Sequence, residues 1–99
     1  MDIEWPYEDP RNLAVITLRG IRSKKEPIMN VFHDSEGWQF LGGGPSLVKD
    51  IMVVSLESIV NLDPSVLQLA DLPVGWQASR THQTGDWKRA PTEPDEDSE

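Results

Sequence analysis

The 99-residue sequence predicts a single α+β domain, an antiparallel sheet of four or five strands with two short helices. Three observations predict it. From Phe32 to Leu41 a polar turn, Asp34-Ser35-Glu36-Gly37, separates two apolar, β-branched or aromatic runs, which is the pattern of a hairpin. Ser55 and Asp63-Pro64 each head a run whose apolar residues recur at helical spacing. Leu72-Pro73-Val74-Gly75-Trp76 then supplies a stop, a sharp turn and a return strand. A hydrophobic content of 37% suffices for one modest core, since a chain of this size buries about 60 to 68% of its unfolded surface.

Residues 1–12 are rich in proline and acid and read as an irregular acidic arm, in which Trp5 and Tyr7 anchor onto the domain spanning 13–89. Leu13 to Leu18 reads as a strand buried on both faces. Arg19 to Glu26 carries Arg19, Arg22, Lys24 and Lys25 and forms a short helical turn or a loop, which Pro27 ends. Ile28 to His33 is the next strand. In the turn after it, Asp34 bonds the local backbone and Gly37 takes a positive φ. In the return strand, Trp38 to Leu41, the period of two sets Trp38 and Phe40 on one face, so the two rings pack on a helix. Gly42-Gly43-Gly44-Pro45 breaks the strand, and without a following Lys-Ser/Thr pair it reads as a flexible loop and not a phosphate cradle.

Ser55 caps a helix from Leu56 to Asn61, with Leu56, Ile59 and Val60 on its apolar face and Glu57 at its positive end. Asp63 caps a second short helix that opens on Pro64, where the missing N–H costs nothing, and Val66, Leu67 and Leu69 face the sheet. In the final strand Trp76, Ala78 and Arg80 alternate with Gln77 and Ser79. Trp87-Lys88-Arg89 continues or flanks the sheet, and residues 90–99 form a disordered acidic tail that has no apolar anchor to offset the entropy of ordering it.

The net charge is −8, and five of the 17 acidic residues lie in that tail, so the body carries 12 against nine Lys and Arg. The tail acts as a solubiliser or draws a basic partner, and the balance disfavours nucleic acid. With no cysteine, disulfide scaffolds and thiolate metal sites are excluded, and Met1 to Glu4 has neither the basic start nor the apolar run of a signal peptide, which predicts a cytoplasmic chain. The apolar run Ile51 to Val54 is far below the roughly 20 residues of a membrane helix.

No residue set points to catalysis, a cofactor or a metal. His33 and His82 lie far apart, and His33-Asp34, the one adjacent acid/base pair, directs its side chains to opposite faces of a strand. No serine sits in a G-x-S-x-G elbow. The four tryptophans serve as core fillers or binding anchors; Trp38 and Trp76 suit the core, Trp5 and Trp87 a half-exposed position. An acidic and aromatic surface admits binding of another protein. The candidate contact residues are Asp34 and Glu36 on the hairpin turn and Trp5, Glu8 and Asp9 on the arm, because turns and arms project side chains without disturbing a core. The alternatives are a small-ligand protein or minor enzyme with a pocket near Trp38, Phe40 and His33, and a homodimer whose exposed edge strand completes a sheet.

From Ala14 to Arg80 the order of features resembles the bacterial immunity protein 33-like family, grouped with the immunity proteins of polymorphic toxin systems. The matching elements are the first strand, Asp34-Ser35-Glu36-Gly37-Trp38-Gln39-Phe40-Leu41-Gly42-Gly43, Val54-Ser55-Leu56, Asn61-Leu62-Asp63-Pro64 and Leu72-Pro73-Val74-Gly75-Trp76. The chain departs from the family pattern after Gly43, with Gly44-Pro45-Ser46 where acids often stand. The resemblance implies an α+β domain and a non-enzymatic, protein-binding role, and for an inhibitor the acidic body and tail imply a basic toxin domain as partner.

Overall fold

A computed structural model describes residues 5–44 and 47–92. The domain is α+β, built on a six-stranded mixed sheet in the order β4-β1-β3-β2-β5-β6. The strands are β1 (Ala14–Leu18), β2 (Asn30–Asp34), β3 (Gly37–Leu41), β4 (Ile51–Ser55), β5 (Trp76–Ser79) and β6 (Lys88–Pro91), joined by helices α1 (Arg19–Arg22) and α2 (Leu56–Leu62) and by two 3-10 helices over Val48–Asp50 and Pro64–Leu69.

Two expectations about the sheet are corrected. It has six strands where four or five were expected, and it is not purely antiparallel: β1 runs parallel to β3. The chain leaves β1, lays down β2 one strand's width away, and returns through the hairpin so that β3 fills the gap. Neighbours in sequence, β1 and β2, are therefore not neighbours in space.

The hairpin is tighter than a four-residue turn. Asp34 pairs with Gly37, leaving Ser35 and Glu36 as the loop; Asp34 Oδ1 accepts from the Glu36 N–H at 2.9 Å, and Gly37 sits at φ +128°, where a Cβ would be strained. At the head of α2 the Ser55 hydroxyl accepts from the Ser58 N–H at 3.1 Å. Asp63 ends that helix and caps the next, accepting from the Ser65 N–H at 3.0 Å, with Pro64 behind it. The second segment winds as a 3-10 helix, whose three-residue period buries Val66 and Leu69 and leaves Leu67 half-buried.

One sheet face carries Val15, Val31, Trp38, Phe40 and Ala78 into the core, where Leu56, Ile59, Val60, Val66, Leu69 and Leu72 from the helical segment and Tyr7 from the arm meet them. The other face carries a row that crosses all six strands, Val53, Ile16, Gln39, Phe32, Gln77 and Ala90, every member half-buried or exposed. So β1 is not buried on both faces as its composition suggests: Val15, Thr17 and Leu18 are buried, Ile16 is half-buried and Ala14 is exposed. The buried Thr17 hydroxyl is satisfied by the Phe40 carbonyl at 2.9 Å.

Sheet pairing runs on through Ala90 and Pro91, past the expected start of the tail at residue 90, and the Thr92 N–H donates to the Gly75 carbonyl at 2.7 Å. Residues 93–99, where the rest of that tail falls, lie outside the described residues. Among the described residues no helix is long and apolar enough to cross a membrane.

Candidate functional site

The arm, the hairpin and the segment before β5 converge at one end of the sheet and enclose a cleft of about 360 Å³. Its walls are Glu8 and Asp9 from the arm, His33 and Trp38 from the paired ends of β2 and β3, and Asp71 and Val74 from the connection to β5. Val74 is among the few exposed large apolar residues, and Glu8 and Asp71 are exposed beside it.

His33 and Trp38 form the aromatic floor, and a ladder of rings continues behind them. His33 stacks on Trp38 with ring centroids 3.8 Å apart and planes within 10°, and Tyr7 meets Trp38 edge-on at 5.3 Å. Trp5 lies against Tyr7 at 5.6 Å, with the Arg11 guanidinium 4.7 Å over its ring. Each polar tip of the ladder has a partner. The Trp38 indole N–H donates to Asp9 Oδ2 at 2.9 Å, the Trp5 indole N–H to the Asp9 carbonyl at 2.7 Å, and the Tyr7 hydroxyl to the Val66 carbonyl at 2.7 Å. Burial pushes the Tyr7 phenol well above its ordinary range, and the nearby Asp9 charge adds to the shift. His33 Nδ1 lies 2.7 Å from the Leu72 carbonyl; a carbonyl only accepts, so Nδ1 carries the hydrogen and the tautomer is fixed.

The candidate residues from the sequence divide here. Glu8 and Asp9 line the cleft, and Asp34 and Glu36 lie on the turn that continues the same end of the sheet. Arm and turn side chains are not all free of structural duty: Asp9 holds Trp38, Asp34 ties its own turn, and half-buried Trp5 packs on Tyr7, whereas Glu8 and Glu36 are exposed. Of the three residues expected to flank a small-ligand pocket, His33 and Trp38 reach the wall, while Phe40 is wholly buried behind Trp38. His33 is anchored by a backbone carbonyl and not by Asp34. Among the described residues no three His, Asp or Glu side chains converge as metal ligands would.

Nothing in the sequence marks Asp71 and Val74 as wall residues, because the connection between the second helical segment and β5 shows only a turn signal. The rim acid Asp71 forms an ion pair with Arg89 of β6 at 2.8 Å, and hydrogen bonding and charge from Arg89 hold its carboxyl below the usual carboxylate range. Also unforeseen is a buried cluster at the opposite end of the sheet. Arg80 donates from Nε and Nη2 to the Ile28 carbonyl at 3.0 and 2.8 Å, from Nη1 to the Ser65 hydroxyl at 3.0 Å and from Nη2 to Asp63 at 2.6 Å, while Trp87 lies 4.1 Å from its guanidinium. Burial pushes the Asp63 carboxyl up, but hydrogen bonds from Ser65 and Arg80 and the Arg80 charge outweigh it and hold the group below its ordinary range. Beside this cluster lies a second cleft of about 410 Å³, bordered by Lys24, Lys25, Glu26 and Asp63. Its floor is structural: Arg80 takes up the Ile28 carbonyl and the Asp63 carboxylate, whereas the hairpin-end cleft keeps exposed carboxylates and an exposed apolar rim. Comparison with family models, with curated proteins and with solved structures gives no match.

Proposed function

We propose that the chain is a protein-binding domain and that the hairpin-end cleft receives a basic segment of its partner, the role that the resemblance to toxin-immunity proteins implies. The observation that carries this reading is the gathering of Glu8, Asp9 and Asp71 around an aromatic floor, with Asp34 and Glu36 on the adjoining turn and Val74 exposed on the rim. Carboxylates beside the half-buried His33 ring and exposed Val74 suit the ammonium or guanidinium of a lysine or arginine, the aliphatic stem of which packs on these two side chains while the head meets the acids. Exposed charges steer encounter, whereas the desolvated centre sets residence time.

The test replaces only the two acids free of structural bonds, Glu8→Gln with Glu36→Gln. With a partner captured from the source cell, association of the parent chain is expected to slow steeply as salt shortens the Debye length towards about 8 Å, and the double variant is expected to bind more slowly with a shallower salt dependence. The same partner bound at an unchanged rate and with unchanged salt dependence overturns the electrostatic reading.

A further inference from the structure

The two edges of the sheet are built differently. Edge strands present unpaired N–H and C=O groups, and proteins blunt them with lysine, proline or other charge. β6 carries Lys88, Arg89 and Pro91. β4, Ile-Met-Val-Val-Ser, carries no charge and no proline. Among the described residues, four of the five exposed large apolar side chains, Leu47, Val48, Ile51 and Val53, lie in β4 or just before it, and Val53 is 63% exposed.

The direction of the free backbone groups follows from the register. The Leu56 N–H donates to the Leu13 carbonyl at 2.8 Å, and that pair continues the ladder in which Val54 faces Val15 and Met52 faces Thr17. Alternate pairs of an antiparallel ladder exchange hydrogen bonds, so residues 52 and 54 turn their backbone groups to β1 and those of residues 51, 53 and 55 point away from it; the Ile51 N–H is taken by the Val48 carbonyl, whereas the Val53 N–H and C=O both face outward.

We propose that β4 pairs antiparallel with β4 of a second copy of this chain about a two-fold axis at Val53, joining the two sheets into one. That axis keeps all five residues of the strand paired: Val53 stands opposite the partner's Val53, and Ile51 opposite the partner's Ser55. Both Val53 side chains lie on the open face, so the row that ends at Val53 in one copy runs straight into the same row of the other. Two chains of like net charge meet along a strand that carries none. This contact is independent of the hairpin-end cleft, which opens beside β2, β3 and the start of β5.

Sedimentation velocity over a dilution series, run on the parent chain and on Val53→Lys, tests the proposal. The substitution sits on an exposed position and sets two ammonium groups face to face across the axis. The parent chain is expected to sediment as a dimer that dissociates on dilution, and the variant as a monomer throughout with an unchanged far-ultraviolet spectrum. Amide hydrogen exchange on the parent chain gives a reading that does not depend on the variant's folding. The Val53 N–H is expected to slow by at least about tenfold between dilute and concentrated samples, while Met52 and Val54, already bonded to β1, and Ile51, bonded to the Val48 carbonyl, stay constant. A parent chain that is monomeric at every concentration, whatever foreign strand it takes up, overturns the proposal. So does a dimer that forms while the Val53 amide exchanges at a concentration-independent rate.

Discussion

Arg80 and Trp38 hold opposite ends of the molecule, and each depends on one carboxylate. The Arg80 side chain is 1% exposed and meets Asp63 at 19% exposure, so removing the acid strands a buried charge. Asp63→Ala is expected to cost about 3–5 kcal/mol by urea unfolding near neutral pH. The pH dependence has a definite sign. Because the folded-state carboxyl is held below its ordinary value, near 3.9 in an unfolded chain, its contribution is complete above about pH 5 and is lost as pH falls through the folded value. Stability measured from pH 3 to 7 is expected to show a shallower acid limb in the variant than in the parent chain. At the other end Trp38, 2% exposed, touches Tyr7, His33 and Phe40, and Trp38→Ala is expected to cost about 3–5 kcal/mol in the same measurement. The burial of Trp38 was legible from the period of two. That Asp9 accepts its indole N–H was not, because the pairing spans 29 residues and local pattern carries no information about it.

Among the elements, those with local punctuation were legible and those without it were not. The hairpin, the Ser55 cap and the Asp63-Pro64 start each declare themselves within four residues, through an Asx bond, a positive φ or a capping oxygen. β4 escaped because its outward residues, Ile51 and Val53, are as apolar as its inward ones, which erases the alternation that marks a half-buried strand. β6 escaped in part for the reverse reason: all four of its residues are exposed, and it forms because β5 offers a free edge. Two truncations distinguish the contribution of β6 from that of the residues beyond Thr92. Ending the chain after Thr92 is expected to leave the melting temperature unchanged. Ending it after Trp87 removes the β5–β6 pairing and the Arg89 contacts to Asp71 and the Gln68 carbonyl, and is expected to cost at least about 1 kcal/mol, a fall of about 4–8 °C for a domain of this size.

For the molecule as a whole, α+β character and a single core were readable from composition and pattern, while strand order was not, because it rests on one long-range choice: β1 lies between β3 and β4 and not beside β2. That placement has a consequence for how the chain comes off the ribosome. β1 is synthesised before the other five strands of the sheet, and both its partners are encoded later, the second of them ending at Ser55. At about 5–20 residues per second, roughly two to seven seconds separate the emergence of Leu18 from that of Ser55. Until Leu41 completes β3, Val15, Ile16 and Leu18 have no sheet to enter, and until Ser55 follows, the β4 side of the strand stays open, so the nascent chain shows an apolar strand edge to whatever chaperone waits at the tunnel exit.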